Sequence, residues 1–294
     1  MTSETDPSTD AAGDDWAGAR AERWVRMADG LERELAPVLD VLLEALAPSP
    51  GEKVLDVGCG TGPTTRAIAA AVGPDGSVTG ADISADMLAA AAQRTAPGAG
   101  AGPIEWLRAD MQTWAGPAKT FDAVTSRFGV MFFDDVEAAF ANLARVTRPG
   151  GRLVAAVWGH REESPLFDVP LAAALDALAA LGVWVDVPAP DWGPFGLADR
   201  PRTQQMLLRA GWRRDVAIEA RRLPLAFAGG LPPAEAARAC LEFGPTRPVA
   251  ADLAPNEREA VVASITDALE DHVDDAGHVV LDGTLLLLSG RTPG

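Results

Sequence analysis

The chain has 294 residues, of which 48% are hydrophobic and 23% are charged, and its formal net charge at pH 7 is −17. This length suffices to bury a full core in one large domain, or in one domain plus an insertion. The negative charge disfavours nucleic acid and anionic membranes as partners, because close approach to either requires a basic patch. The two cysteines, Cys59 and Cys240, suggest neither a disulfide framework nor a zinc site. We therefore expect a reducing, cytoplasmic setting and no bound metal.

The N-terminal region divides into two predicted parts. Residues 1–15 are polar and acidic and lack the features of a signal peptide, which predicts a disordered tail. Residues 16–50 are interpreted as an N-terminal helical cap, since apolar residues recur at steps of three and four from Trp24 to Leu46. Pro37 is expected to kink or split this helix. No apolar run approaches the roughly 18 residues needed to cross a bilayer, so we expect no membrane segment.

The next segment, Val54–Pro63, is an apolar strand that stops at a glycine-rich loop. Gly58, Gly60 and Gly62 stand at alternate positions, where they permit a tight turn whose amides face a ligand. Pro63 suits the first position of a following helix. It also replaces the third glycine of the dinucleotide fingerprint, which disfavours an NAD-dependent oxidoreductase. Asp82 closes a second strand, where an acid accepts hydrogen bonds from ribose hydroxyls, so the pattern predicts a nucleoside without pyrophosphate.

Strands and helices alternate through the expected core, residues 51–159. Strands are predicted near 53–57, 77–82, 103–109, 121–127 and 151–158, and helices near 63–72, 84–95 and 134–147. Regular alternation predicts an α/β fold, with a doubly wound, mostly parallel sheet covered by helices on both faces. Ligands then bind at the carboxyl ends of the strands.

The alternation breaks after the fifth strand. Residues 160–202 are interpreted as a lid or substrate insertion with a helix near 166–181. Residues 203–294 are expected to complete the sheet with further helices. The predicted elements there are helices at 203–210, 233–243 and 256–271 and strands at 215–222 and 283–289.

Taken together, these segments resemble the class I S-adenosylmethionine (SAM)-dependent methyltransferases, most closely the UbiE/Coq5-like small-molecule branch. The resemblance covers roughly Lys53 to Trp158. It rests on five ordered segments: Asp56–Gly62, Asp82–Leu88, Leu107–Met111, Phe121–Phe128 and Arg148–Leu153. It implies a Rossmann-like methyltransferase fold with seven strands, N-terminal helices and a helical lid, SAM as cofactor and S-adenosylhomocysteine as product.

The resemblance also implies roles for individual residues. The glycine loop would wrap the amino-acid end of SAM, Asp82 would hold the ribose, and Asp110 would take the adenine amino group. The complete expected cofactor set is Asp56, Gly58, Cys59, Gly60, Gly62, Asp82, Ile83, Met87, Asp110, Met111, Ser126 and Arg127. Ile83, Met87 and Met111 would border the adenine, and Ser126 and Arg127 would lie at the methionine end. Structural roles stay open for several of them, such as a helix cap for Asp82 or pairing of Arg127 with Asp134 or Asp135.

The acceptor side carries no comparable motif. An apolar acceptor pocket is predicted from Trp24, Phe128, Met131, Phe132 and Trp158, although some of these could simply anchor neighbouring elements. His160 follows the fifth strand, where a base could take a proton from an acceptor hydroxyl. Its alternative is a surface histidine beside charged residues.

We predict SN2 transfer of a methyl group from SAM to oxygen, nitrogen or carbon of a small, largely apolar metabolite of secondary metabolism. Orientation alone contributes roughly 7–11 kcal/mol to such a reaction, so no base is obligatory. One alternative is a SAM-binding enzyme of this fold that catalyses cyclisation, hydrolysis or decarboxylation. Another is a non-catalytic partner or regulator. A homodimer is compatible with the sequence, and a small-molecule acceptor is the expected partner.

Overall fold

Seven strands form one sheet in the computed structural model, which describes residues 18–94, 98, 100–187, 189, 191 and 193–294. The predicted tail, residues 1–15, lies outside the described residues. The strands are β1 (Lys53–Val57), β2 (Ser77–Asp82), β3 (Ile104–Arg108), β4 (Phe121–Arg127), β5 (Thr147–Trp158), β6 (Arg214–Ala226) and β7 (Val280–Arg291). Their order is β3-β2-β1-β4-β5-β7-β6, with β1 to β5 parallel and β7 antiparallel to both neighbours. The predicted doubly wound, mostly parallel sheet is confirmed.

Helices cover both faces and the carboxyl edge of this sheet. Those in the described part of the chain are α1 (Ala19–Glu34), α2 (Ala36–Leu46), α3 (Pro63–Val72), α4 (Ala85–Arg94), α5 (Val136–Val146), α6 (Pro165–Ala180), α7 (Arg200–Arg209), α8 (Pro233–Ala239), α9 (Thr246–Val249) and α10 (Pro255–Glu270). None of them is long and apolar enough to span a bilayer.

The N-terminal helix splits at Leu35, and Pro37 occupies the first turn of α2, as the sequence predicts. α2 packs against β4, β5 and β6. Its carboxyl end is held at the amino edge of the sheet, where Arg152 Nε donates to the Leu46 carbonyl at 2.7 Å. The junction between α1 and α2 must therefore lie at the opposite edge, above the carboxyl ends of the central strands.

Three element bounds differ from the prediction for physical reasons. β5 begins at Thr147 because a bulge around Gly150, at φ +74°, keeps the predicted turn paired with β4. α7 begins at Arg200 because the Asp199 carboxylate accepts from the Arg202 amide at 3.0 Å. The expected boundary between the lid, residues 160–202, and the C-terminal part, residues 203–294, thus falls inside α7. The β6–β7 hairpin is longer than predicted because it extends past Trp158, the end of β5.

Candidate cofactor and acceptor site

The glycine loop between β1 and α3 has three left-handed residues, with φ of +64° at Gly58, +54° at Gly60 and +80° at Gly62. Neighbouring atoms explain two of them. A Cβ on Gly58 would lie 2.6 Å from the Gly129 Cα, and a Cβ on Gly62 would lie 2.4 Å from the Trp106 ring. At Gly60 no atom of the described residues lies within 4 Å of that position. Packing therefore requires Gly58 and Gly62, whereas Gly60 leaves open space at the loop.

Asp82 faces this open position from the end of β2. Its Oδ2 accepts from the Gly60 amide at 2.8 Å, and its Oδ1 accepts from the Ser84 amide at 2.9 Å. Burial raises the pKa of Asp82, and the backbone amides of Ser84 and Gly60 oppose that shift. The cap of α4 comes from Ser84, whose Oγ accepts from the Met87 amide at 3.4 Å. Because each carboxylate oxygen keeps a second lone pair, Asp82 can still accept from ligand hydroxyls.

Asp56 lies beneath the loop. Its carboxylate is 1% exposed and accepts from the Thr65 hydroxyl at 2.6 Å. Burial raises the pKa of Asp56 to about 7, while the Thr65 hydroxyl and the charge of Arg127 lower it. We interpret Asp56 as a residue that positions α3 and Arg127, and its predicted direct contact with the cofactor stays untested.

The Arg127 guanidinium projects from the end of β4 into the same region. Burial lowers its pKa, and the charges of Asp56 and Glu32 raise it. Its Nη1 lies 3.4 Å from the Leu35 carbonyl oxygen. The Arg127 guanidinium thus lies near Asp56 and Glu32, beside the junction between α1 and α2.

Ser126 has a structural role that the sequence did not reveal. Its hydroxyl donates to the Val57 carbonyl at 2.7 Å and accepts from the amides of Gly129 and Val130 at 3.1 and 3.2 Å. One donor and two lone pairs exhaust a hydroxyl. Any ligand contact of Ser126 must therefore come from its backbone, and its position at the methionine end of the cofactor stays a prediction.

The predicted adenine residues fall into two groups. Ile83 is 46% exposed, whereas Met87 and Met111 are 4% and 2% exposed and pack in the interior. The Asp110 carboxylate holds a turn by accepting from the Gln112 amide at 2.8 Å. Adenine contact stays a prediction for all four predicted residues.

Cys59 fills the loop and is not a nucleophile in this structure. Its thiol is 6% exposed, and burial raises its pKa far above the ordinary value. Its amide donates to the Ala81 carbonyl at 3.0 Å, which ties the loop to β2.

The helix α1 covers the cofactor loop through charged contacts that sequence reasoning missed. The Glu32 carboxylate lies 3.3 Å from the Thr61 hydroxyl, 3.3 Å from Arg94 Nη1 and 3.6 Å from Arg66 Nη2. Asp29 pairs with Arg94 at 2.8 Å. The partners are far apart in sequence, so no local pattern could have predicted this network.

Aromatic side chains line the neighbouring strand ends, β4 and β5. Phe128 stacks on Trp158 with ring centroids 4.2 Å apart, and Trp158 meets Phe167 edge-on at 5.0 Å. Phe167 in turn meets Phe195 at 5.1 Å. Phe167 and Phe195 belong to the predicted lid and were not singled out by the sequence. We call these four residues the aromatic wall.

The remaining predicted acceptor residues take different positions. Met131 is buried, and its Sδ accepts from the Trp158 amide at 3.4 Å. Phe132 and Trp24 are partly buried, with Trp24 on α1. His160 is exposed and begins a short turn in which its carbonyl accepts from the Glu163 amide at 3.0 Å. This favours the surface interpretation of His160 over a base role. No cluster of three or more His, Cys, Asp or Glu in the described ranges could hold a metal ion.

The site matches the chemical groups of SAM one by one. A ribose needs a hydrogen-bond acceptor, the methionine carboxylate needs a cation, and the chain between them needs space. Asp82 provides the hydrogen-bond acceptor, and Arg127 provides the cation. The open position at Gly60 provides the space. The residues present therefore fit the cofactor that the sequence predicts.

Comparison with known proteins agrees with this geometry. Residues 54–151 match the family model of a methyltransferase domain. Nocamycin O-methyltransferase of Saccharothrix syringae is 40% identical over 117 residues, which cover 40% of this chain and 41% of that protein. The ubiquinone/menaquinone biosynthesis C-methyltransferase UbiE of Ectopseudomonas mendocina is 38% identical over 112 residues, covering 38% of this chain and 44% of that protein. A candidate methyltransferase from Bacillus halodurans shares the fold, with a TM-score of 0.52, 20% identity and coverage of 87% and 99% of the two chains.

The Rossmann-like sheet, the glycine loop and the matched residues together indicate a SAM-dependent methyltransferase domain. Residues 54–151 match a methyltransferase domain, and this part of the chain is similar in sequence to UbiE-like class I SAM-dependent methyltransferases. Its matched region spans less than half the length of these two curated relatives.

Proposed function

We propose that the chain transfers a methyl group from SAM to oxygen, nitrogen or carbon of a small, largely apolar acceptor. The observation that carries the proposal is the contact of Asp82 with the Gly60 amide, at the one loop glycine whose missing side chain leaves open space. Bound SAM supplies an electrophilic methyl group. The chain's own residues are needed to bind, orient and keep water out.

Each part of the site has a task in this proposal. Asp82 accepts hydrogen bonds from the ribose, and Arg127 pairs with the methionine carboxylate. Asp56 lies near the Arg127 guanidinium, and its charge raises the pKa of Arg127 against the effect of burial. Orientation of this kind contributes roughly 7–11 kcal/mol to a two-substrate reaction.

The aromatic wall is the proposed boundary of the acceptor. Phe128, Trp158 and Met131 are each less than a tenth exposed, so an acceptor reaches them only when α1 or the lid moves. Movement followed by closure would also exclude water, which strengthens electrostatic interactions around the reacting atoms.

The proposed setting of the reaction is secondary metabolism in a reducing cytoplasm. The likeness to nocamycin O-methyltransferase supports an acceptor from secondary metabolism. The two free, buried cysteines support a reducing cytoplasm. A homodimer is the proposed assembly, and light scattering of the purified protein tests it.

A screen of small acceptors with SAM that carries an isotopically labelled methyl group tests the function. The proposal predicts label in an acceptor product and formation of S-adenosylhomocysteine, both detected by mass spectrometry. Acceptor turnover with no label in any product would instead favour a cyclase, hydrolase or decarboxylase. Failure to bind SAM in calorimetry would favour a non-catalytic regulator.

A further inference from the structure

A buried carboxyl group, Glu34, ends α1 at the carboxyl edge of the sheet. The residue is 4% exposed, and the backbone amides of Ala228 and Gly229 lie against its carboxyl group. Its Oε2 is buried and has no hydrogen-bond partner among the described residues. A buried polar atom without a partner costs about 1–3 kcal/mol, so native proteins rarely keep one without a reason.

The position of Glu34 is fixed by its neighbours on two sides. The carbonyl of the next residue, Leu35, faces Arg127 at the end of β4. The amides of Ala228 and Gly229 belong to the turn that follows β6. Glu34 therefore lies between the ends of β4 and β6, above β5 and β7.

This is the side on which the acceptor must bind. The cofactor residues occupy the ends of β1 and β2, and Arg127 at the end of β4 faces the methionine end. An acceptor in line with the methyl group must then lie beyond β4, over β5. The Trp158 ring lies there, with its Cζ3 3.2 Å from the ideal Cβ position of Gly283 in β7.

The backbone around Glu34 is also strained and tightly packed. Three successive residues, Ala228, Gly229 and Gly230, have φ of +52°, +76° and +79°. Left-handed conformation is costly for alanine, and such strain is concentrated at functional sites. A Cβ on Gly229 would lie 2.8 Å from the Gly30 Cα, so backbone packs directly on backbone and excludes water.

We propose that Glu34 is a catalytic residue whose Oε2 accepts the proton of an acceptor O–H or N–H group, which limits the acceptors to molecules that carry one. The inference rests on the proposed function. The acceptor oxygen or nitrogen forms a bond to the methyl carbon, and the electron pair of the methyl–sulfur bond stays on sulfur. The acceptor proton moves to Oε2, which gives the methylated acceptor, S-adenosylhomocysteine and a neutral Glu34.

Charges around Glu34 are compatible with this task. Burial raises its pKa to about 7, close to the pH at which a general base is most effective. Charged or titratable groups close to it include Arg33 and Glu32 on α1, Arg127 at the end of β4 and His278 beside Gly230. Arg33 donates to the Gly229 carbonyl and Arg127 to the Leu35 carbonyl, and neither forms an ion pair with Glu34 among the described residues.

The test compares wild type, Glu34→Gln and Arg33→Gln with the acceptor found by the screen. Arg33→Gln is the matched control, because Arg33 Nε donates to the Gly229 carbonyl at 3.1 Å and ties the same helix to the same turn without a carboxylate. Glu34→Gln is expected to slow single-turnover methyl transfer by about 100-fold or more with SAM affinity unchanged. The rise of the wild-type rate with pH should be lost in the same variant, and Arg33→Gln should keep both. The infrared difference spectrum of wild type minus Glu34→Gln should show a protonated carboxylic acid band that titrates with pH, and the band that remains in Glu34→Gln is assigned to the buried Asp56.

Each outcome decides between the claims. A loss smaller than about tenfold, or a retained pH profile, overturns the role of Glu34 and leaves methyl transfer intact. Methylation confined to acceptors without an O–H or N–H proton also overturns the role of Glu34 and leaves methyl transfer intact. If no acceptor is methylated by wild type, the proposed function itself fails. Should Glu34→Gln not fold, Glu34→Ala with added formate replaces it: rescue of the rate supports the proposal, and absence of rescue overturns it.

Discussion

The cofactor side and the acceptor side of the site lie at the same edge of the sheet but are built differently. The cofactor side uses one contiguous loop, whose Gly60 amide donates to the Asp82 carboxylate at 2.8 Å. The acceptor side is assembled from side chains of distant segments, as in the stack of Phe128, Trp158 and Phe167. Backbone geometry therefore holds the cofactor side in place, whereas the packing of side chains holds the acceptor side.

The largest expected effect concerns the packing of the acceptor side. Trp158→Ala should lower the free energy of unfolding by about 3–5 kcal/mol, because it removes a large buried ring from the aromatic wall. Urea unfolding followed by circular dichroism measures this loss. Trp184→Ala is the control, since Trp184 is 86% exposed and should change stability by no more than about 0.5 kcal/mol. Equal effects of the two variants would contradict a packed wall.

The second prediction concerns the backbone of the cofactor side. Gly60→Ala and Gly277→Ala place a Cβ at positive φ, +54° and +85°, where no described atom lies within 4 Å. Both should lose about 1 kcal/mol of stability through strain. Only Gly60→Ala should also weaken SAM binding, by about 100-fold in calorimetry, which corresponds to roughly 2.7 kcal/mol. Similar SAM affinities in the two variants would show that the open space at Gly60 is not a ligand position.

The two sides also differ in how far they could be predicted from sequence. Gly58, Gly60 and Asp82 belong to short-range patterns of glycine spacing and strand ends, and the structure brings them together as predicted. Glu32, Glu34 and Phe167 act through contacts with distant segments, for which the sequence contains no local signal. Ser126 is predicted to lie at the methionine end of the cofactor, and the use of its hydroxyl by backbone groups could not be predicted, because only the folded chain brings those groups near.

The third prediction concerns Asp56, the buried carboxyl group beneath the loop, and how protein stability depends on pH. Burial raises the pKa of Asp56 from 3.8 to about 7, so the folded state binds more protons than the unfolded state between these values. The stabilising contribution of the protonated form is therefore lost as pH rises through about 7. Relative to wild type, Asp56→Asn should gain about 1–3 kcal/mol of stability between pH 5 and pH 8. Unfolding curves at both pH values measure this gain, and a difference that is independent of pH would contradict a raised pKa.

The smallest expected effect concerns the charged contacts of α1. Glu32→Gln should lower the free energy of unfolding by about 0.2–1 kcal/mol, less at high salt, because the pairs with Arg66 and Arg94 are partly exposed. It should also change SAM affinity, by roughly twofold to fivefold, since Glu32 covers the loop. Glu137→Gln removes an exposed pair with Arg209 far from the loop and should leave SAM affinity unchanged. Identical SAM affinities in both variants would exclude α1 from the cofactor side.

The central claim is that the Asp82 carboxylate holds the sugar of SAM beside the glycine loop. Calorimetric titration of SAM into Asp82→Asn measures it most directly, with Asp86→Asn as a control on the exposed surface of α4. We expect SAM affinity to fall roughly 10- to 100-fold in Asp82→Asn, because a charge-assisted hydrogen bond contributes about 1.5–3 kcal/mol, and to stay unchanged in Asp86→Asn. Equal and undiminished affinity in both variants would contradict the account.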